Sequence, residues 1–338
     1  MIEFRQYKDG EEESILKLYL KVFNKKLSYD DWNWKYNGLY PNNKLIFLAF
    51  DDLLCVGHYA LMPYRLNAFG KGIEAFISLD SMVHPNYQGK QVFSKLVEYA
   101  YNNINCLDKP YVTFLNEKSI KIYTKKFKWK YLGNIPVFCR PLSLNVFKKK
   151  YKLLYKILRP FAFLINRFIK NDNSIILEPF DLFTNKIEEL SNQKKFYSTN
   201  RSKFFLEWRY NATSHKYQKF NILYDKKIIG FCILRDDTKF GIKFIWIMDM
   251  LLNENFENKY SAVLNIIALK YEYESDFIVS LLPMRKYAKY FWKARYFKIP
   301  SFILPHDFYF CVNKNMYTND KINNLDNWYM TWSLNDVL

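Results

Sequence analysis

Apolar positions along the first 140 residues switch between two periods. "MIEFRQY" alternates as a strand does, and from about Glu11 a helix is expected that buries Ile15, Leu18, Tyr19, Val22 and Phe23. A second short helix should follow Ser28, because Ser28 and Asp31 stand at capping-box spacing. "KLIFLAFDDLLCVGHYAL" predicts a hairpin turning at Asp51 and Asp52, the central strand covers roughly 73–83, and "YVTFL" is the next strand. Between the last two lies "VHPNYQGKQVFSKL", residues 83–96, a strand end that crosses a polar loop with one glycine. Val92, Phe93, Leu96, Val97 and Ala100 then recur at helical spacing.

The pattern returns further along the chain. "WNWKYNGLYPNNKLIFLAFDDLLCVGHYALMP" at 32–63 is echoed by "LEWRYNATSHKYQKFNILYDKKIIGFCILRDD" at 206–237, with Trp34, Lys35 and Tyr36 on Trp208, Arg209 and Tyr210, and Gly57 on Gly230. Downstream, Asp80 aligns with Asp249, Leu115 with Leu282 and Tyr123 with Tyr290. Echoes kept in order predict a tandem duplication. The fold class is α+β, each half a mixed sheet flanked by helices: one domain over 1–145, a basic amphipathic linker over 146–172 and a second domain over 173–338. Within the linker Lys152, Lys156, Arg159, Arg167 and Lys170 share one helical face, kinked at Pro160. Two readings stand for 148–170: a helix packed between the domains, the commoner outcome, or a helix lying on a membrane surface.

Half of the 338 residues are apolar, which suffices for a sizeable core. The apolar stretches are broken by charges and no apolar run follows a basic start, so the expected compartment is the cytoplasm. Cys55, Cys106, Cys139, Cys232 and Cys311 lack paired spacing, and His58, His84, His215 and His306 are dispersed, so neither a disulfide framework nor a metal is expected. The net charge of +18 suits an acidic partner such as nucleic acid, a nucleotide-linked substrate or an anionic membrane. Only ten of the 51 basic residues are arginine, the residue that base-edge readout leans on, so no specific nucleic acid is expected. Oligomeric state has no signature here.

A strand that feeds a glycine-containing loop and a helix start gathers unpaired N–H groups, and the helix dipole adds positive potential, a combination that suits a pyrophosphate. The stretch resembles the acyl-CoA-binding signature of the GNAT superfamily of N-acyltransferases, in which a V-x-P strand end precedes Gln/Arg-x-x-Gly-x-Gly/Ala. Val83, Pro85 and Gln88 match, whereas the two later glycine positions fall on Gln91 and Phe93. The resemblance implies acetyl-CoA as co-substrate, with its binding residues at Met82, Val83, Gln88, Gly89, Lys90, Gln91, Val92, Phe93, Ser94, Asn116 and Ser119. It extends to "FLNEKSIKIYTKKFKWKYLG", where Asn116, Ser119 and Tyr123 keep the spacing of the family's Asn, small residue and Tyr, and Phe127, Lys128 and Trp129 give an ending one residue longer. It covers the first 140 residues, and the second half only as fold.

In such enzymes a neutral amine attacks a thioester, which requires an acceptor for the amine proton, a donor to the oxyanion and an acid for the thiolate. The resemblance puts the oxyanion amide near Met82 or Val83 and makes Tyr123 the acid, with helix packing as the competing role. For the base, Asp80 is the candidate, since a strand-borne carboxylate among apolar neighbours should have a raised pKa. Asp249 at the matching place supports a structural role equally well. His58 and His84 fall within reach, although histidines on strands and turns more often satisfy local bonds. In the second half "LNENFENKYSAVL" has no glycine and two glutamates where phosphates would sit, so one domain should be active and the other should shape a cleft for the acceptor. The leading reading is an N-acetyltransferase acting on a primary amine of a small molecule. Similarity to two-domain enzymes of bacterial surface polysaccharide synthesis suggests an amino sugar, free or nucleotide-linked. The alternatives are a tRNA-dependent aminoacyl transferase of the peptidoglycan-bridge type and a non-catalytic binding protein of the same fold.

Overall fold

A computed structural model describes residues 1–40, 44–104, 108–143, 172–211, 216–313 and 319–334; the basic segment over 148–170 lies outside them. The chain opens with β1 (Ile2–Gln6), α1 (Glu12–Phe23) and α2 (Tyr29–Asn37). Ser28 caps α2, its Oγ accepting the Asp31 amide at 3.0 Å, as the spacing predicted. In α1 only Ile15 and Leu18 are buried. Phe23, expected inside, is 46% exposed and lies against Tyr19, because the last turn of the helix reaches past the core. β2 (Leu45–Asp51) and β3 (Leu54–Ala68) form the predicted hairpin, with Asp52 in the left-handed turn conformation at φ 51°. β4 (Lys71–Val83), α3 (Val92–Asn102), β5 (Tyr111–Leu115), α4 (Glu117–Lys125), β6 (Lys130–Asn134) and β7 (Val137–Pro141) follow.

After residue 171 the succession recurs: β8 (Ile175–Pro179), α5 (Asn185–Asn192), β9 (Tyr197–Thr199), α6 (Lys203–Tyr210), β10 (Tyr217–Tyr224), β11 (Lys227–Lys239) and β12 (Ile242–Leu252). Then come α7 (Tyr260–Lys270), β13 (Phe277–Leu281), α8 (Ala288–Lys293), β14 (Phe297–Lys298) and β15 (Tyr309–Asn313). Two mixed sheets result, flanked by helices. One has the order β1-β2-β3-β4-β5-β15-β6 and the other, read from its far edge, β8-β10-β11-β12-β13-β7-β14. Position by position the orders correspond, and both strands following the last helix of each half are accounted for: one stays, the other joins the opposite sheet.

The compact units therefore differ from the contiguous division expected at 145 and 173. One comprises Met1–Leu66, Ile73–Gly133 and Phe308–Asn323, the other Asn67–Gly72, Asn134–Asp307 and Asn324–Leu338. Short strands such as "VFCRP" and "YFCVN" carry no periodicity that names the sheet they join. The first unit's core collects Phe47, Leu61, Phe76, Leu96, Val97, Tyr111, Tyr123 and Cys311, all less than a tenth exposed. Gly57 lies under α3, where a Cβ would come within 3.1 Å of Ala49 and 3.3 Å of Leu96, and at Gly230 a Cβ would come within 2.3 Å of the Leu251 carbonyl oxygen. The repeated strand glycine thus answers a steric need in both units.

Candidate active site

β4 and β5 run parallel and pair at Phe76–Tyr111 and Ile77–Val112, after which β4 continues to Val83 and β5 to Leu115 without further pairing in register. In place of a ladder bond, Thr113 Oγ1 donates to the Ser78 carbonyl at 2.8 Å. Into this divergence α4 sends Tyr123, fully buried, its hydroxyl 2.9 Å from Ser78 Oγ and 3.0 Å from Ser81 Oγ. Burial is the main reason its phenol is held well above the ordinary range. Asn116 Oδ1 accepts the amides of Lys118 and Ser119 at 3.0 and 3.1 Å, and Ser119 Oγ accepts the Asn116 amide at 3.2 Å. The Asn–small–Tyr spacing is thus a capping box that starts the helix and aims its tyrosine. The longer ending is absorbed by Lys128 at φ 56°, which lets Phe127 and Trp129 pack edge-on to the Tyr123 ring.

At the end of β4, with Met82 buried and Val83 half-buried, His84 begins a turn over Pro85–Tyr87, its amide donating to Val56 O and its Nδ1 accepting the Asn86 amide at 3.3 Å. Gln88 Nε2 donates to Val83 O, Lys90 Nζ stands 5.1 Å over the Tyr87 ring, and Tyr87 donates to Asp51 at 2.7 Å. Gly89 has φ 78° and open space where a Cβ would be. No side chain caps α3, whose first turn closes when the Lys95 amide reaches Gln91 O at 3.0 Å. The amides of Val92, Phe93 and Ser94 precede that bond and form the free donor set of a helix start. Phe93 turns into the core against Tyr59 and Tyr123, and Val92 and Ser94 are buried, so those side chains leave the loop open.

Gln91 occupies left-handed space, φ 59° and ψ 11°, at an exposed position. This conformation costs a residue with a Cβ about 1–2 kcal/mol, so Gln91→Gly is expected to be stabilising or neutral, in contrast to the usual glycine penalty of about 1 kcal/mol in a helix. Chemical denaturation of the two proteins checks this, and a loss above about 1 kcal/mol would contradict the geometry.

Asp80 is itself left-handed at φ 46°. That bulge puts Ser78 and Ser81 toward Tyr123 while the Asp80 carboxylate meets α2, with Lys35 Nζ at 3.0 and 3.1 Å and Tyr36 OH at 2.7 Å. Burial pushes this carboxyl up, but the Lys35 charge and the Tyr36 and Lys35 hydrogen bonds outweigh it and hold the pKa below its ordinary value. The raised pKa expected from the apolar strand is therefore overturned, because α2 supplies an ammonium that strand patterning does not show. His58 Nδ1 lies 2.7 Å from the Asp80 carbonyl oxygen and must carry the hydrogen, while Nε2 is buried with no partner. Burial lowers the imidazole pKa, keeping the ring neutral.

Comparison with known proteins accords with this geometry. Residues 3–131 match the family model of the acetyltransferase (GNAT) domain. Over that stretch the chain is similar to GNAT acyltransferases. Among solved structures it is similar to a GCN5-related N-acetyltransferase from Anabaena variabilis (TM-score 0.64, 13% identity, 92% of this chain and 72% of that one). It is also similar to a probable N-acyltransferase from Enterococcus faecalis (0.65, 10%, 92% and 72%) and to N-myristoyltransferase of Saccharomyces cerevisiae with bound myristoyl-CoA (0.62, 11%, 97% and 89%). At these identities the likeness is one of fold. No curated protein matches the chain. Among the described residues no group of three or more His, Cys, Asp or Glu is placed to hold a metal, and no helix is long and apolar enough to cross a membrane.

Compared with the first unit, the second differs at each candidate functional position. β12 and β13 also pair in parallel, over Phe244–Phe277 to Trp246–Val279. Beyond that point Tyr329 donates to the Met250 carbonyl at 2.5 Å and lies 3.3 Å from Tyr260 OH. Tyr290, the counterpart of Tyr123, stacks on Tyr260 at 6.0 Å. The turn over Glu254–Lys259 replaces the loop, with Glu257 accepting from Tyr287 and Lys286. Asp249 is fully buried and held by Arg201, whose Nε and Nη2 donate at 2.9 and 2.8 Å. Neither Arg201 nor Tyr329 was legible as a site residue, since each meets its partner only through the fold.

Proposed function

We propose that the chain transfers the acetyl group of acetyl-CoA to a primary amine of a small molecule, an amino sugar on the strength of its resemblance to two-domain surface-polysaccharide enzymes, and works in the cytoplasm. The observation that carries this reading is the divergence of β4 and β5, with the Tyr123 hydroxyl inside it and the uncapped start of α3 at its end. On this reading the amides from Gly89 to Ser94 bind the pyrophosphate, a site the open space at Gly89 and the absence of acid from the loop both favour. A β4 amide near Met82 or Val83 receives the oxyanion. Tyr123, kept protonated, supplies the proton to the leaving thiolate. Asp80, already ionised and shared with Lys35, serves as anchor for the cluster, and the neutral His58 offers the lone pair that can take the amine's proton.

Calorimetric titration of the full chain with acetyl-CoA tests this, beside a variant with Gly89→Glu and Gln91→Glu. Micromolar binding lost in the variant is expected, and no binding at millimolar acetyl-CoA overturns the reading. Tyr123→Phe should then lower turnover on an accepted amine by about 100-fold while leaving acetyl-CoA affinity unchanged.

A further inference from the structure

From Ala288 to His306 the chain contains Lys289, Lys293, Arg295 and Lys298 and no acidic residue. In the same stretch large apolar side chains stand in solvent: Trp292 is 51% exposed, Phe297 40%, Phe302 87% and Ile303 63%. Trp292 and Phe297 touch at 5.9 Å, and Trp292 is seated on Phe138 at 5.6 Å, so this half of the surface is anchored in the second unit's core. Phe302 and Ile303 sit on a turn closed by the Ile303 amide to Pro300 O and the Leu304 amide to Ser301 O, at 3.0 and 3.1 Å. Exposed apolar side chains in such density mark an interaction surface.

We propose that this surface docks the protein on an anionic lipid bilayer, with Trp292, Phe297, Phe302 and Ile303 entering the interface and Lys289, Lys293 and Lys298 meeting the headgroups. The lysines 289, 293 and 298 are exposed alongside the apolar residues. Aromatic side chains with basic neighbours suit the boundary between acyl chains and headgroups, where each cation gains from the negative surface potential. The turn's internal amide bonds leave little backbone to desolvate there. A protein strand is a poorer occupant, because β14 is a two-residue edge strand that exposes Lys298 and is followed by Pro300. A second copy would bring another +18 to the same contact.

The test is co-sedimentation of the full chain with sucrose-loaded vesicles of phosphatidylcholine, alone or with about a third phosphatidylglycerol, at about 0.1 M salt. Binding to the anionic vesicles should exceed binding to the neutral ones by at least about tenfold. Phe302→Ser with Ile303→Ser should weaken it by about tenfold or more at unchanged melting temperature and acetyl-CoA binding. Because this variant keeps residues 148–170 intact, equal binding by variant and parent would assign the lipid contact elsewhere and overturn the proposal. So would no binding at all, or a dimer seen by ultracentrifugation without lipid and lost in the variant.

Discussion

Arg201→Met is expected to destabilise the protein by about 3–5 kcal/mol, the usual cost of leaving one partner of a buried ion pair alone. Arg201 and Asp249 are both fully shielded from solvent, joined by two hydrogen bonds, with Ser198 Oγ and the Thr199 carbonyl completing the guanidinium's shell. For a unit of this size the loss corresponds to a fall of about 6–20 °C in melting temperature. Arg201→Met combined with Asp249→Leu should recover most of the stability, since an apolar pair leaves no buried charge. Calorimetric melts of the parent, the single variant and the double variant decide the matter. A single variant within about 1 kcal/mol of the parent would show that the pair is replaceable by water.

The second large effect concerns the end of the chain. A fragment ending at Leu142, which contains everything the acyl-CoA motifs cover, is expected neither to melt cooperatively nor to bind acetyl-CoA. Its sheet would lack β15, which pairs with β5 from Tyr309–Leu115 to Asn313–Tyr111 and stands between β5 and β6. Phe310, Cys311 and Val312 are wholly buried in that position. At about 1.5–3 kcal/mol for each large apolar side chain, their loss with the five-residue ladder reaches the net stability of an entire small domain. The bared edge of β5 would also be a site for aggregation. Far-UV circular dichroism with acetyl-CoA titration provides the check. A fragment that melts cooperatively and binds within tenfold of the full chain would mean that β15 is dispensable.

The sequence alone determined the parts of this protein that depend on neighbours a few residues apart. Periodicity placed the β2–β3 hairpin and α3, Ser28 marked the start of α2, and Gly57 and Gly230 marked two strands crossed at close range, because local sterics and capping act over one or two turns. The loop from Gln88 to Ser94 was legible for the same reason: a strand end, a glycine and a helix start are consecutive in the chain. What only the tertiary structure decided depends on partners distant along the chain. Asp80 looked like a carboxylate in an apolar strand, yet Lys35 and Tyr36 from α2 make it an ion-paired anchor, while the bulge that turns it toward them points its serine neighbours at Tyr123. Asn116 and Ser119, which the resemblance implies as ligand contacts, form the cap that aims that tyrosine. β7 and β15 each complete the other half's sheet, an exchange that a five-residue strand pattern does not reveal, since the partners that fix it, such as Asn265 and the Ala294 carbonyl for the buried Arg140 of β7, lie far along the chain. Which sheet each strand joins is settled by the chain's path, a property of the whole fold.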